Sequence, residues 1–271
     1  MFETDLFHQS RRAFQCSGLT LIGASFVGPV CAQTSSINEV IDNAGRMRML
    51  SQRMAKAWLA LGQAVEGKRA KKILLESIAR FSQQIIELKR YAPSNEIKDT
   101  YAALEPVWAD YKTALLGQAP AKGRTLALFA LDAKVLKLAH QGTLQLERYS
   151  GKTTGQLVNI AGRQRMLSQR AAKLFLSQTW GTGSPDQSKE LGATKREFAA
   201  VLRILAQAPE ATDSIKLAVE LAAQQWIFFD NALNRMNEPD PQGQHAAEVF
   251  ASSENILQVM DKVTGMYARL V

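Results

Sequence analysis

Ala44-Gly45-Arg46-Met47-Arg48-Met49-Leu50-Ser51-Gln52-Arg53-Met54-Ala55-Lys56 returns 117 residues later as Ala161-Gly162-Arg163-Gln164-Arg165-Met166-Leu167-Ser168-Gln169-Arg170-Ala171-Ala172-Lys173, changed only at the positions of Met47 and Met54. An echo of this length says that one module occurs twice, and the offset is about the size of a small domain. Wound at about 100° per residue, the stretch puts Ala44, Arg48, Ser51 and Ala55 on one narrow helix face. Ala161, Arg165, Ser168 and Ala172 share that face in the second copy. Small residues let another backbone come close, and an arginine among them is unusual. Arg46, Arg53, Arg163 and Arg170 fall roughly opposite and read as more solvated. Gly45 and Gly162 stand inside the helix at a cost of about 1 kcal/mol against alanine, which points to close packing or a local irregularity.

Two readings are open for Arg48 and Arg165. Each is paired with a carboxylate from a neighbouring helix, because a buried guanidinium needs a counter-charge. Or the counter-charge is a bound anion, for which the planar, permanently charged guanidinium fork is suited.

At these residues the chain resembles a known family. The string is similar to the signature of the PilJ-type sensor domain, the N-terminal periplasmic domain of type IV pilus methyl-accepting chemotaxis transducers. Its relatives are the nitrate/nitrite sensor histidine kinases. Their pattern runs Ile-Asn-x-Ala-Gly-x-x-Arg-Met-x-Ser-x-Arg. The second copy matches as Val158-Asn159-Ile160-Ala161-Gly162, then Arg165-Met166, Ser168 and Arg170. The first matches as Ile41-Asp42-Asn43-Ala44-Gly45, then Arg48-Met49, Ser51 and Arg53, with Asp42 in place of the usual Asn. In the nitrate sensors the arginine before the Met contacts nitrate near a two-fold axis between subunits. The resemblance therefore implies an anion site at Arg48 and Arg165, with Ser51, Ser168, Arg53 and Arg170 beside them.

The first 32 residues read as a cleavable export signal. Ser10-Arg11-Arg12-Ala13-Phe14 has the look of a twin-arginine start, with an ordinary secretory signal as the alternative. A short apolar run from Leu19 to Val30 follows, and Val30-Cys31-Ala32 supplies small residues before a cut near Ala32. The run is too short to span a bilayer. Both cysteines of the chain, Cys16 and Cys31, lie in this segment, so the mature chain has no disulfide and no cysteine chemistry. Loss of Glu3, Asp5, Arg11 and Arg12 leaves the net charge at +8. That balance favours anionic partners. Nucleic acid is not expected, since the Lys and Arg residues are spread along the chain.

From Ile37 onward helical periodicity dominates. Helices are expected at about 37–61, 70–91, 96–116 and 125–149, and again at 154–180, 186–206, 211–236 and 244–270. Pro93, Ser94 and Asn95 break the second from the third, with Ser94 or Asn95 as N-cap. In the fourth helix Leu128, Leu131, Val135, Leu138 and Leu144 are expected to face inward. The echo extends beyond the signature: Phe81 answers to Phe198, Pro93 to Pro209 and Trp108 to Trp226. The fold expected is all-α, two tandem antiparallel four-helix bundles at 37–150 and 153–271 after the signal at 1–32. Trp58, Phe81, Trp108, Phe129, Phe175, Phe198, Trp226 and Phe228 read as core. At the join, Arg148 to Gly155 is either a tight turn with a Thr N-cap, setting the bundles side by side, or a helical continuation stacking them as a rod. Side by side, Arg48 would face Arg165 as an intramolecular pseudo-dimer; end to end, each signature would need a partner chain, as in a homodimer.

His8, His140 and His245 are isolated, and no His or Cys pair stands at ligand spacing. Neither a metal site nor a cofactor is expected, and no nucleophile has a plausible base, so no enzyme is expected. With no second hydrophobic span in the sequence, the expectation is a soluble periplasmic sensor that binds a small oxyanion, nitrate or nitrite first, and signals through a membrane receptor or kinase. The alternative is a ligand-free interaction module contacting pilin or a chemoreceptor or histidine kinase ectodomain.

Overall fold

The computed structural model describes residues 36–270. The segment expected to be an export signal, with both cysteines and His8, lies outside them. Eight α-helices follow one another: α1 (Ile37–Gly62), α2 (Gly67–Tyr91), α3 (Asn95–Leu116), α4 (Thr125–Ser150), α5 (Thr153–Thr179), α6 (Pro185–Gln207), α7 (Asp213–Asn234) and α8 (Gln244–Ala268). Short 3-10 turns at Lys122–Arg124 and Arg235–Asn237 precede α4 and end α7. Among the described residues there is no strand.

The helix starts follow the capping logic of the sequence. Ser36 and Glu39 form a reciprocal capping box on α1. Ser94, Ser184 and Thr212 each accept a backbone N–H at the start of α3, α6 and α7. At the join the expected Thr cap is replaced. Gly151 takes a left-handed φ of 61° and ends α4, and Lys152, with no capping side chain, opens α5. A left-handed residue after the last turn is where glycine carries no steric penalty.

Within each half the helices pack in chain order, α1 with α2 and α4 and α3 with α4, then α5 with α6 and α8 and α7 with α8. These are the two up-and-down four-helix bundles expected from the periodicity. Equivalent aromatic pairs mark both cores: Trp108 lies 4.3 Å from Phe81, and Trp226 lies 4.1 Å from Phe198. The bundles lie side by side and not as a rod. The seam is α1 against α5, the two signature helices. They run parallel, since Asn38 at the start of α1 meets Thr154 at the start of α5, while Trp58 and Gln63 near the end of α1 meet Trp180 and Thr179. Two parallel copies in contact are related by an approximate two-fold axis between them.

Three expectations about side chains are corrected. Phe228 is 66% exposed; the inner stripe of α7 runs Ile215, Val219, Ala222, Trp226 and Phe229, so the neighbouring Phe229 takes the core position. On α4, Phe129, Leu131 and Leu138 pack against the core but are only partly buried, as is Leu144. The inner face is Leu128, Asp132, Val135, Ala139, Thr143 and Leu146, because α4 presents small and polar groups to the seam. Arg46, Arg53, Arg163 and Arg170 are not free in solvent but half-buried in ion pairs.

Candidate functional site

Where α1 and α5 touch, the arginines at the centre of each signature are fully buried. Gly45 and Gly162 make room for them. A Cβ on Gly45 would lie 3.1 Å from Arg48 Nη2 and 3.7 Å from Arg165 Nη2; one on Gly162 would lie 3.1 Å from Arg165 Nη2 and 3.8 Å from Arg48 Nη2. Each guanidinium crosses the seam to the other copy. Arg48 Nη2 donates to the carbonyl of Asn159, and Arg165 Nη2 donates to the carbonyl of Asp42, both at 3.3 Å. Asn159 and Asp42 are equivalent positions, so the exchange is reciprocal.

Charge breaks this symmetry. Arg165 is bracketed by two carboxylates: Nη1 donates to Asp261 at 2.6 Å, and Nη2 also binds the side chain of Asp42. Arg48 meets Asn159 where Arg165 meets Asp42, and His140 where Arg165 meets Asp261. The pairing of His140 with Asp261 follows from α4 and α8, which match at an offset of 121: Thr143 and Thr264 each bond back to the carbonyl four residues earlier, and Phe129 and Phe250 each underlie a lysine, Lys173 and Lys56. Among the described residues no carboxylate is within ion-pair reach of Arg48.

His140 Nδ1 lies 3.2 Å from Arg48 Nη1. A guanidinium only donates, so Nδ1 accepts and the ring proton sits on Nε2. Burial, then Arg48, Arg163 and Arg170, push the imidazole down to about 4. Burial, then Arg163 and Arg165, push Arg48 down to about 9. At neutral pH Arg48 is still a cation, held without a counter-charge in a place that penalises it.

Arg48 lines a cleft of about 360 Å³ between α4 and α5, to which α6 adds Gln187 and Glu190. Arg48, Lys137, Arg163, Arg170 and Lys173 line it, against Asp132 and Glu190. Both acids are taken. Asp132 accepts from Lys173 at 2.7 Å and from Gln52 at 2.8 Å, and Glu190 pairs with Arg170 at 3.3 Å. Arg163 pairs with Glu197. Arg48 is thus the buried cation of the cleft with nothing to match it.

The mate of this cleft, about 370 Å³, lies between α1 and α8 and is lined by Arg46, Arg53, Leu257 and Gln258 together with Glu254 and Asp261. Glu254 binds both Arg53 and Lys56, the latter at 2.6 Å. Burial raises the Glu254 carboxyl, but Lys56 and Arg53 more than reverse it and leave it at about 2. Its equivalent in the first half is Ala133. At these two positions the second half carries its own anions where the first carries neutral side chains, while Asp132 in the first half stands against Ser253 in the second.

The residues expected to bind an anion separate accordingly. Arg165, Arg53 and Arg170 are matched by acids of the chain. The hydroxyls of Ser51 and Ser168 donate to the carbonyls of Arg48 and Arg165, three residues earlier, which lets them lie flat in the seam. Of the four arginines among them, Arg48 alone combines full burial with no acid partner among the described residues. Sequence reasoning missed His140, taken as isolated, and Arg163, taken as solvated; aligning Phe129 on Phe250 would have set His140 opposite Asp261. Among the described residues no group of His, Cys, Asp and Glu is placed to hold a metal, and no helix is long and apolar enough to cross a membrane.

Comparison with curated proteins and with solved structures finds no match. A family model does match, twice, over residues 30–130 and 150–247, and each match takes in one signature helix. With most of its length covered by two copies of that model, the chain belongs to the PilJ family, the sensor-type domain described as the type IV pili methyl-accepting chemotaxis transducer N-terminal region.

Proposed function

We propose that this chain is an exported, periplasmic sensor module that binds one small oxyanion at Arg48 and passes its state to a membrane-bound chemoreceptor or kinase. One observation carries the reading: a fully buried guanidinium, lining a cation-rich cleft, has no carboxylate partner among the described residues. A fold rarely keeps such a charge unless something else neutralises it, because an unpaired buried ion costs several kcal/mol. The resemblance of the signature to that of the nitrate sensors makes nitrate and nitrite the first anions to try. Binding would signal only through unequal affinity for two arrangements of the helices. The seam between α1 and α5 is the element placed to have two, since both arginines are hung across it.

Calorimetric melts with nitrate and nitrite test the reading. Ligand at about 100 times its Kd adds about 2.7 kcal/mol, or about 5–10 °C for a domain of this size. No shift with any small oxyanion, or a shift kept in full by Arg48→Met, refutes it.

A second reading, a protein-interaction module without a small ligand, is favoured by α7. Leu217, Leu221, Ile227 and Phe228 are exposed on its outer side and give an apolar strip that a partner helix fits. Pull-down from periplasmic extract with and without nitrate separates the two, since only the sensor changes its partner with the anion.

A further inference from the structure

The second half of the molecule displays the ligand that the first half lacks. There the Asp261 carboxylate bridges two guanidiniums, with Oδ1 at 2.6 Å from Arg165 Nη1 and 2.7 Å from Arg46 Nη1. The equivalents of those arginines are Arg48 and Arg163, and both line the α4–α5 cleft. The equivalent of the carboxylate itself is the neutral imidazole of His140. We infer that the cleft takes the carboxylate of a small organic acid, bridged by Arg48 and Arg163 in the place His140 now shares with them, one per chain. This rests on the anion-sensor reading and deepens it in three respects. The anion lies to the side of the seam and not between the two arginines. Arg163, released from sole service to Glu197, is half of the clamp. The ligand carries a carbon skeleton.

The lining argues for the skeleton. Phe129, Leu136, Met166 and Leu174 form an apolar wall beside the cations, and the cleft is far larger than a single three-oxygen anion fills. An aliphatic or aromatic tail on that wall is removed from water, which favours binding in proportion to the apolar surface covered. The headgroup is recognised as Arg recognises any planar pair of oxygens. The mate cleft cannot take a second ligand while Asp261 and Glu254 hold its arginines. One molecule per chain is the consequence, although the signature occurs twice.

Titration calorimetry of the whole chain with butyrate, benzoate and nitrate tests this. Benzoate or butyrate is expected to bind at one per chain and at least tenfold tighter than nitrate. Arg163→Gln, at a half-exposed position, is expected to weaken the carboxylates at least tenfold with the melting temperature little changed. His140→Asp builds the Asp261 arrangement into the first half. It is expected to abolish binding of all three anions and to raise the melting temperature in anion-free buffer. Nitrate binding without carboxylate binding overturns the inference and leaves the sensor reading standing. Carboxylate binding at two per chain, or unaltered in both Arg163→Gln and His140→Asp, overturns the placement. If no anion binds, both readings fall, while a stabilising His140→Asp would still show that a carboxylate belongs at that position.

Discussion

Two arginines with the same sequence surroundings have opposite expected behaviour when removed. Arg165 is held by Asp42 and Asp261, so Arg165→Met leaves two partly buried acids to share Arg46. A loss of about 3 kcal/mol is expected, read as a melting temperature lower by about 6–12 °C. Arg48 has no acid, so Arg48→Met removes an unmatched buried charge and should leave the anion-free protein as stable or more so. Differential scanning calorimetry of the two variants, in buffer without oxyanions, distinguishes a site held open for a ligand from a merely structural pair. The pH dependence divides into two windows. The unfolded chain protonates His140 near 6.5, whereas the folded chain, in which burial and then Arg48, Arg163 and Arg170 disfavour the imidazolium and only Glu197 opposes them, refuses the proton until about 4. Stability therefore falls as pH drops from 6.5 to 4. Glu254 acts lower down: its carboxylate is held at about 2 by Lys56 and Arg53 against an ordinary 4.5. Its contribution is complete above pH 4.5 and is lost as pH falls toward 2. Urea midpoints measured across pH should show both slopes, and His140→Gln should flatten the upper one alone.

Among the elements, α1 and α5 were the most legible from sequence and also the most misleading. Their boundaries follow from caps and glycines, and their inner faces from the run of alanine, serine and arginine, since a small-residue stripe at 3.6 periodicity has few other uses. What their sequence could not show is which acids answer their arginines. Those acids come from α1, α6 and α8, and between α4 and α8 the copies have diverged to His140 against Asp261 and Ala133 against Glu254. A local pattern fixes a helix face, but a partner supplied from 92 or 96 residues away is legible only once the two helices are in register. The same holds at the far end of the seam. Gly62 reads from sequence as a helix stop and is the last residue of α1, but it also lies under the Trp180 ring, where a Cβ would fall 2.3 Å from Cη2. Alanine there raises helix propensity by about 1 kcal/mol, and the overlap outweighs it. Trp180 is fixed edge-on against Trp58 at 5.8 Å and cannot step aside freely. Gly62→Ala is expected to destabilise by about 1–3 kcal/mol, visible as a lower urea midpoint at unchanged slope. An increase in stability would mean that the tryptophans do not lock the two helices.

For the whole molecule, the duplication suggests two independent domains, and the seam argues against independence. The described residues cluster as one compact unit. The face that α1 turns toward α5 carries Ala44, Arg48, Ser51 and Ala55, all fully buried, and α1 also sends Lys56 and Arg53 to Glu254 of α8. A chain cut to residues 36–150 would expose that face, strand Lys56 and Arg53 without Glu254, and leave Lys173 missing from Asp132. Each stranded charge costs less in water than in a core, so the fragment need not be driven apart by them. What it loses is the apolar area of the seam, together with every contact that orders Arg48. A parallel pair of identical first halves could restore the area, because Ala44, Gly45 and Ala55 would meet their own copies as they now meet Ala161, Gly162 and Ala172. Its charges would be redistributed: each Arg48 would meet Asp42 of the other copy where it now meets Asn159, and keep His140 of its own, while Arg53 and Lys56 would still lack Glu254. Two outcomes follow. The intact chain should unfold in a single transition whose calorimetric and van't Hoff enthalpies agree, since neither bundle retains a closed core when the other melts. The 36–150 fragment should be unfolded as a monomer, or folded only as a concentration-dependent dimer whose melting temperature rises with protein concentration. Sedimentation equilibrium together with circular dichroism at several concentrations decides it, and a fragment that is monomeric and fully helical at low concentration would show that the first bundle stands without the seam.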